Sequence, residues 1–486
     1  MPPAARNVLL ITSDQQHWST LGCLNGELRT PNLDRLAARG TLFTRAYCPN
    51  PTCTPTRASI ITGRYPSQHG AWSLGTKLLE SEHTVGEDFQ GAGVRTALVG
   101  KAHFQPTAGT CEHPSLEAFP TLQDLEFWRG FHGPFYGFEH VELARNHTDE
   151  AYVGQHYALW MERKGLADWR GYFRPPTGTN DRQRRTWEIP EAFHYGTWIA
   201  ERSCDLLDGY AERGEPFFLW ASFLDPHPVY LVPEPWDSMY DPAALTVPAV
   251  QPGEHDANPP HFRLKQTANP DLHDRDELAR DIACYYGMIS LMDAQIGRIL
   301  DRLEALGLAS DTLVVFTSDH GHLFGQHGMT GKGAFHYEDL IRVPLIVAQP
   351  GGAPAGRRSD ALQSLVDFAP SFLAAAGIGV PAAMTGIDQT DVWYGRRPSL
   401  RDHVVVENRH EPTTEHLKTY VEDRYKLTVY FQRDYGELFD LAADPGEVDN
   451  LWDVPEAQEL KNDLTRKLLF AEMGKEPLPM PRIAGA

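Results

Sequence analysis

The residue types best suited to chemistry cluster in residues 48–70, CPNPTCTPTRASIITGRYPSQHG. At the centre, Cys53-Thr54-Pro55-Thr56-Arg57 sets a thiol one helical turn ahead of a permanent cation, and an apolar, helix-compatible run follows. Thr52 or Thr54 is expected to cap that helix, and Pro55 suits its first turn, where no N–H partner is lost. Cys53 would then sit at the positive end of a helix dipole, among N–H groups that point outward. Such an arrangement can hold an oxyanion beside a reactive side chain. A capped helix with a buried cysteine fits the pentapeptide equally well.

Four apolar runs end in further reactive side chains. The run 8–12 ends in Thr-Ser-Asp14-Gln15, and the run 313–317 ends in the near-copy Thr-Ser-Asp319-His320. The run 95–99 ends in Gly100-Lys101-Ala102-His103, and the run 216–223 leads to Asp225-Pro226-His227. Continuous apolar runs are the pattern of strands buried on both faces of a parallel sheet. In such sheets ligands bind beyond the carboxyl ends of the strands. One carboxylate there is an ordinary cap. Two, with Gln15 and His320 beside them, form a set of hard oxygen donors plus an imidazole, which suits Ca²⁺, Mg²⁺ or Mn²⁺ better than a thiolate-rich zinc site. His17, His69, His322, His327 and His336 read as structural or supporting groups.

Strands that alternate with helices at residues 31–40, 84–93, 192–213 and 276–307 imply an α/β fold with a mostly parallel sheet. Residues 41–46 and 343–348 are further expected strands. Periodicity fades over residues 109–188, where Trp128, Trp160, Trp169, Trp187, Arg182, Arg184 and Arg185 read as part of loops and short helices forming a lid or substrate wall. A surface insertion fits there as well. The Pro-rich passage up to residue 274 is expected to be mostly loop. The expected division is an α/β domain over 1–393 and a small antiparallel α+β subdomain over 394–486. The latter has strands at 403–408, 419–422 and 425–431, an Asp423-Arg424 turn and a closing helix at 456–472.

At 486 residues the chain exceeds the usual size of a single core. Its formal net charge of −21 argues against nucleic acid or an anionic membrane as partner, although local cations and a metal can reverse the potential within one cleft. Six cysteines without C-x-x-C spacing indicate neither a zinc ribbon nor a disulfide scaffold. Together with an N-terminus that runs straight into a strand, they point to a cytoplasmic protein. Whether it forms a homo-oligomer is not legible.

These residues carry a resemblance. The chain resembles the formylglycine-dependent sulfatases of the alkaline phosphatase superfamily over nearly its whole length. The matching pieces are Asp14-Gln15, the Cys53–Arg57 pentapeptide with Thr62-Gly63-Arg64, Gly100-Lys101-Ala102-His103, Pro226-His227, Thr317-Ser318-Asp319-His320-Gly321, Gly331-Lys332-Gly333, Arg342-Val343-Pro344, and later Leu438 to Leu451. The resemblance implies that a separate maturing enzyme oxidises Cys53 to formylglycine, whose hydrate is the nucleophile. It implies one divalent metal, Ca²⁺ or Mn²⁺, on Asp14, Gln15, Asp319, His320 and residue 53. Arg57, Lys101 and Lys332 would spread the charge of the transferring group. His227, with Lys332, would protonate the leaving alcohol. His103 would take a proton from the sulfated diol and so release sulfate. Gln15 stands where a second metal carboxylate is common and His320 where an asparagine is common. That pair also occurs in choline sulfatases, some sugar sulfatases and phosphonate monoester hydrolases. The implied substrate is a small sulfate ester, with a sulfated sugar foremost because Glu407-Asn408-Arg409-His410 is similar to the sulfosugar branch, where Asn408 and Arg409 would bind substrate. A phosphonate monoester or phosphodiester hydrolase using the same formylglycine is the alternative, and the Lys101-x-His103 pair favours the sulfatase.

Overall fold

A computed structural model describes residues 5–145, 150–173, 185–267, 274–410, 414–478, 480 and 483. Its main sheet is built from β1 (Asn7–Ser13), β2 (Thr41–Tyr47), β3 (Arg95–Gly100), β4 (His140–Leu143), β5 (Phe217–Ser222), β6 (Thr312–Ser318), β7 (Arg342–Ala348) and β8 (Arg357–Ser359). Their order across the sheet is β8-β2-β7-β6-β1-β5-β3-β4, and Gln363–Ser364 also pairs with β2. Only β7 is antiparallel to its neighbours.

Every residue of β1, β5 and β6 is buried, which is why these segments read as unbroken apolar runs. Alternate side chains feed two cores. Leu9, Ile11, Leu219, Val314 and Phe316 pack with residues of the helices Tyr195–Arg213 and Arg275–Ala305. Val8, Leu10, Phe218, Trp220, Leu313 and Val315 pack on the other side with residues of Cys53–Thr62, Val85–Gly91 and Phe368–Ala375. Asp274 caps the long helix by accepting from the N–H groups of Asp276 and Glu277.

Register brings the reactive strand ends level. Thr12 lies opposite both Ser222 and Thr317, and Gly100 opposite Ser222, so Asp14, Asp319, Asp225 and Lys101 leave one edge together. Gly100 has φ +110°, and a Cβ there would stand 1.9 Å from the Ser222 carbonyl oxygen. Only glycine allows that approach, which lets the Lys101 N–H donate to the same oxygen at 3.0 Å.

Over residues 109–188 the expected short helices are present, together with one strand that the fading periodicity hid. This segment contributes edge strand β4 and the helices Leu125–Gly130 and Gln155–Arg163. Trp128, Trp160, Trp169 and Trp187 are all buried in the two cores, where aromatic area stabilises most. Arg182 and Arg184 lie outside the described residues.

Beyond the main sheet, β9 (Val404–His410), β10 (Glu415–Val421), β11 (Tyr425–Tyr430) and β12 (Gly436–Asp440) form an antiparallel meander. The tight Asp423-Arg424 turn joins β10 to β11, closed by the Glu422 N–H on the Tyr425 carbonyl at 3.0 Å. Helix Gln458–Gly474 packs Leu464, Leu468 and Ala471 against Val405, Tyr420, Leu427 and Leu438. β9 is also tied to the loop before Cys53, since the Glu407 N–H donates to the Pro49 carbonyl at 2.8 Å and Asn50 Nδ2 donates to the Glu407 carbonyl at 2.6 Å. No helix among the described residues is long and apolar enough to cross a membrane.

Candidate active site

Cys53 opens the helix Cys53–Thr62, all ten residues of which are buried. Thr52 holds the capping position but does not cap. Its hydroxyl donates to Asn50 Oδ1 at 2.6 Å, while the Thr56 hydroxyl donates to the Asn50 carbonyl at 2.6 Å. The Thr54 hydroxyl, the other expected cap, is buried without a partner among the described residues. For Thr52 the reason is local: the turn at Asn50 takes its hydroxyl. The first turn therefore has no side-chain cap.

Around Cys53 Sγ stand Lys332 Nζ at 3.1 Å, His320 Nε2 at 3.3 Å, Asp14 Oδ1 at 3.6 Å and Lys101 Nζ at 3.7 Å. One ligand atom from each of Asp14, Cys53, Asp319 and His320 falls within 4.8 Å of the other three, and all four residues are buried. Beside them the Gln15 amide donates through Nε2 to His322 Nδ1 at 2.7 Å, while its Oε1 is buried without a partner among the described residues. An unpaired buried acceptor costs about 1–3 kcal/mol unless a ligand takes it. The donor set, hard oxygens with one imidazole, fits a divalent cation.

Fixed charges surround this point. Arg57 is wholly buried; its Nε donates to Asp319 Oδ2 at 2.8 Å, and its NH1 to the Lys101 carbonyl at 2.9 Å and Ser222 Oγ at 2.8 Å. Arg57 thus braces three strand ends from behind. Lys101 Nζ pairs with Asp14 Oδ2. Burial opposes ionisation of Asp14, but Lys101, His227, Arg57 and Lys332 hold its carboxyl well below the usual range. Burial and Asp14 likewise push the Cys53 thiol up, yet Lys101 and Lys332 outweigh them and the thiol lies below its ordinary value. Burial lowers the affinity of Lys332 for its proton, and the negative groups Cys53, Asp14 and Asp319 more than restore it.

His227 Nδ1 donates to the Pro228 carbonyl, which leaves Nε2 to accept from Lys332 Nζ at 3.2 Å. Both residues line a cleft of about 340 Å³ with Gln15, Tyr230, Lys265 and Asp281. His103 follows β3 with φ +55°, and its Nδ1 is buried without a partner among the described residues. Burial, then the charges of Arg145, Lys101 and Arg57, keep its pKa well below the ordinary histidine value. Asn408 Nδ2 donates to the Gly333 carbonyl at 3.3 Å and so braces the loop carrying Lys332. Arg409 faces a different pocket, of about 180 Å³, with Trp72, His416 and Lys418.

Comparison with known proteins gives this geometry a family. The pattern described as Sulfatase matches residues 6–378, and that described as N-sulphoglucosamine sulphohydrolase, C-terminal, matches residues 325–473. The chain belongs to the sulfatase family. It is 29% identical over 492 residues to an arylsulfatase of Clostridium perfringens, covering 97% of this chain and 95% of that one. It is 26% identical over 503 residues to an N-acetylglucosamine-6-O-sulfatase of Bacteroides thetaiotaomicron, covering 95% and 85%. A phosphonate monoester hydrolase from Silicibacter pomeroyi superposes with a TM-score of 0.83 at 24% identity, covering 97% and 96%, and shares the fold.

Two residues of this sulfatase site escape sequence reasoning. Glu117 is buried and accepts three consecutive backbone N–H groups, from His103 at 3.1 Å, Phe104 at 2.9 Å and Gln105 at 3.1 Å. Arg145, two residues past β4, lies with its Nε 3.5 Å from Glu117 Oε2. Together they hold the loop carrying His103 in its left-handed turn. Only a recognisable β4 could have marked Arg145 as a strand-end residue, and four residues are too few to show a period.

Proposed function

We propose that this chain hydrolyses a small sulfate monoester, with a sulfated sugar as the leading substrate class. The hydrate of formylglycine at position 53 serves as nucleophile, and one divalent cation, Ca²⁺ or Mn²⁺, assists. The observation that carries the reading is the ring of Lys332, Lys101, His320 and Asp14 around the side chain of residue 53. In this ring Cys53 Sγ stands in for a hydroxyl of the aldehyde hydrate that a separate formylglycine-generating enzyme would create.

Asp14, Gln15, Asp319, His320 and residue 53 would hold the cation, and the unpartnered Gln15 Oε1 supports its inclusion. A cation bound there supplies a Lewis acid that polarises a sulfate oxygen and makes the hydroxyl at position 53 more acidic. Lys101 and Lys332 bring N–H donors to the sulfate oxygens and so spread the charge of the transferring group. His227 Nε2 takes the proton that Lys332 presents and passes it to the departing alkoxide. His103, kept neutral, accepts the proton of the remaining hydroxyl, whose C=O bond forms as the C–O bond to sulfate breaks and sulfate departs. The cleft beside His227 joins Tyr230, Lys265 and Asp281, groups that suit the hydroxyls of a sugar leaving group.

The phosphonate monoester hydrolase reading draws on the shared fold. Lys101 and His103, placed as above, favour sulfate. Rates of the matured protein on an aryl sulfate and an aryl phosphonate monoester decide between the two. The sulfatase reading expects the sulfate to be the better substrate in kcat/KM, and a faster phosphonate overturns it. Sulfate release from a panel of sulfated sugars and choline sulfate then tests the sugar.

A further inference from the structure

His322 is used by none of the steps above, yet it is wholly buried and bonded at both ring nitrogens. Nδ1 lies 2.7 Å from Gln15 Nε2, and Nε2 lies 2.6 Å from the hydroxyl of Tyr230, a residue lining the cleft. The ring stacks on Tyr285 with centroids 5.1 Å apart and an interplanar angle of 14°. Tyr285 in turn donates to the Gln15 carbonyl at 2.8 Å and accepts from the His17 N–H at 2.9 Å. Gln15 itself has φ +62°, and its own N–H is bound to Asp319 Oδ1 at 2.9 Å. Backbone and ring are therefore fixed, and the remaining freedom of Gln15 is which end of its amide faces His322.

A cation can use the amide oxygen and is repelled by the NH₂ group. A neutral imidazole has one bare nitrogen and one N–H. If Nδ1 is the bare one, it accepts from Gln15 Nε2, and the Nε2–H of the ring donates to the Tyr230 oxygen. Oε1 is then the end of the amide that His322 does not engage, and it is the atom found buried and unpartnered. We propose that His322 is a positioning residue for the divalent cation: it holds the Gln15 amide with Oε1 available as a neutral ligand, and the Tyr230 hydroxyl accepts the Nε2–H of the ring tautomer this requires. The inference rests on the reading that the Asp14–Asp319–His320 cluster binds a metal. It assigns to the chain a polarised relay, Gln15 to His322 to Tyr230, that ends in the substrate cleft. Outer partners of metal ligands typically alter affinity about 10–100-fold.

Calorimetric titration of chelator-stripped protein with Ca²⁺ and with Mn²⁺ tests this without reference to turnover. His322→Ala is expected to bind about 10–100-fold more weakly than the parent. His322→Asn, whose Oδ1 can accept where Nδ1 does, is expected to recover most of that loss. Tyr230→Phe, which keeps the ring and removes the hydroxyl at the far end of the relay, is expected to weaken binding several-fold while folding normally. In a Gln15→Ala background, His322→Ala is expected to add no further loss, because the residue acts through Gln15. Parent-like affinity in both His322→Ala and Tyr230→Phe overturns the proposal while leaving the metal site in place. So do additive losses in the double variant. Absence of binding by the parent overturns the metal reading and the relay with it.

Discussion

β1 and β6 leave the sheet side by side through the same three residues, Thr-Ser-Asp, in matched register, yet their aspartates are held in opposite ways. Asp319 is locked: Oδ2 accepts from Arg57 Nε at 2.8 Å, and Oδ1 accepts from the N–H groups of Gln15 at 2.9 Å and His320 at 3.0 Å. Asp14 meets flexible or distant partners: Lys101 Nζ on Oδ2, Arg57 NH2 at 4.0 Å, and Cys53 Sγ at 3.6 Å from Oδ1. Identical sequence thus yields a carboxylate fixed by a guanidinium and two backbone N–H groups at one strand end, and one paired chiefly with a lysine at the next. The difference comes from what neighbouring elements deliver. Asp319 faces a guanidinium and two backbone groups, whereas Asp14 faces the ammonium of Lys101, which also lies 3.7 Å from Cys53 Sγ.

The largest expected effect separates the two aspartates. Asp319→Asn removes one partner of a buried ion pair and is expected to cost about 3–5 kcal/mol of unfolding free energy. Asp14→Asn also breaks a buried pair, but the Lys101 ammonium it leaves lies 3.7 Å from Cys53 Sγ, so a smaller cost of about 1–3 kcal/mol is expected. Both should weaken binding of the divalent cation. Urea denaturation measures the pair, and a greater loss in Asp14→Asn breaks the comparison.

The turn beyond β6 sharpens it further. There His327 stacks on Tyr337 with centroids 3.5 Å apart and lies 3.7 Å from Asp339 and 3.5 Å from Glu254. Burial opposes its charge, but Asp339 and Glu254 push its pKa up to about 9 from 6.5. A folded value above the unfolded one stabilises fully below pH 6.5, and that contribution is lost as pH rises through about 9. His327→Asn should therefore narrow its stability gap to the parent by up to about 3 kcal/mol over this window. Denaturation curves at several pH values check it, and a constant gap contradicts it.

Smaller again is Arg57→Lys. An ammonium keeps the charge but cannot reach Asp319, the Lys101 carbonyl and Ser222 Oγ together, so about 2 kcal/mol should be lost, again by urea denaturation. No loss would show that charge alone braces the strand ends.

Much of this was legible beforehand where chemistry and period coincide. β1, β3, β5 and β6 announce themselves as apolar runs, and their terminal Asp14, Lys101, Asp225 and Asp319 do share one edge. The role of Asp225 was not visible: its carboxyl meets the Tyr195 hydroxyl, and burial raises it to about 8. The edge strand β4 was missed because it is short and sits in an aperiodic stretch, and with it went Arg145 and Glu117. The idle cap at Thr52 depends on one local turn and the hydrogen bonding of His322 on partners distant in sequence, which residue type alone does not encode.

The central claim concerns residue 53 and is tested most directly by mass. Trypsin cuts after Arg45 and Arg57, releasing the peptide AYCPNPTCTPTR, in which Cys48 serves as an internal thiol reference. After co-expression with a formylglycine-generating enzyme and alkylation, the account predicts a peptide alkylated at Cys48 and carrying an aldehyde or its hydrate at position 53. A peptide alkylated at both positions would contradict it.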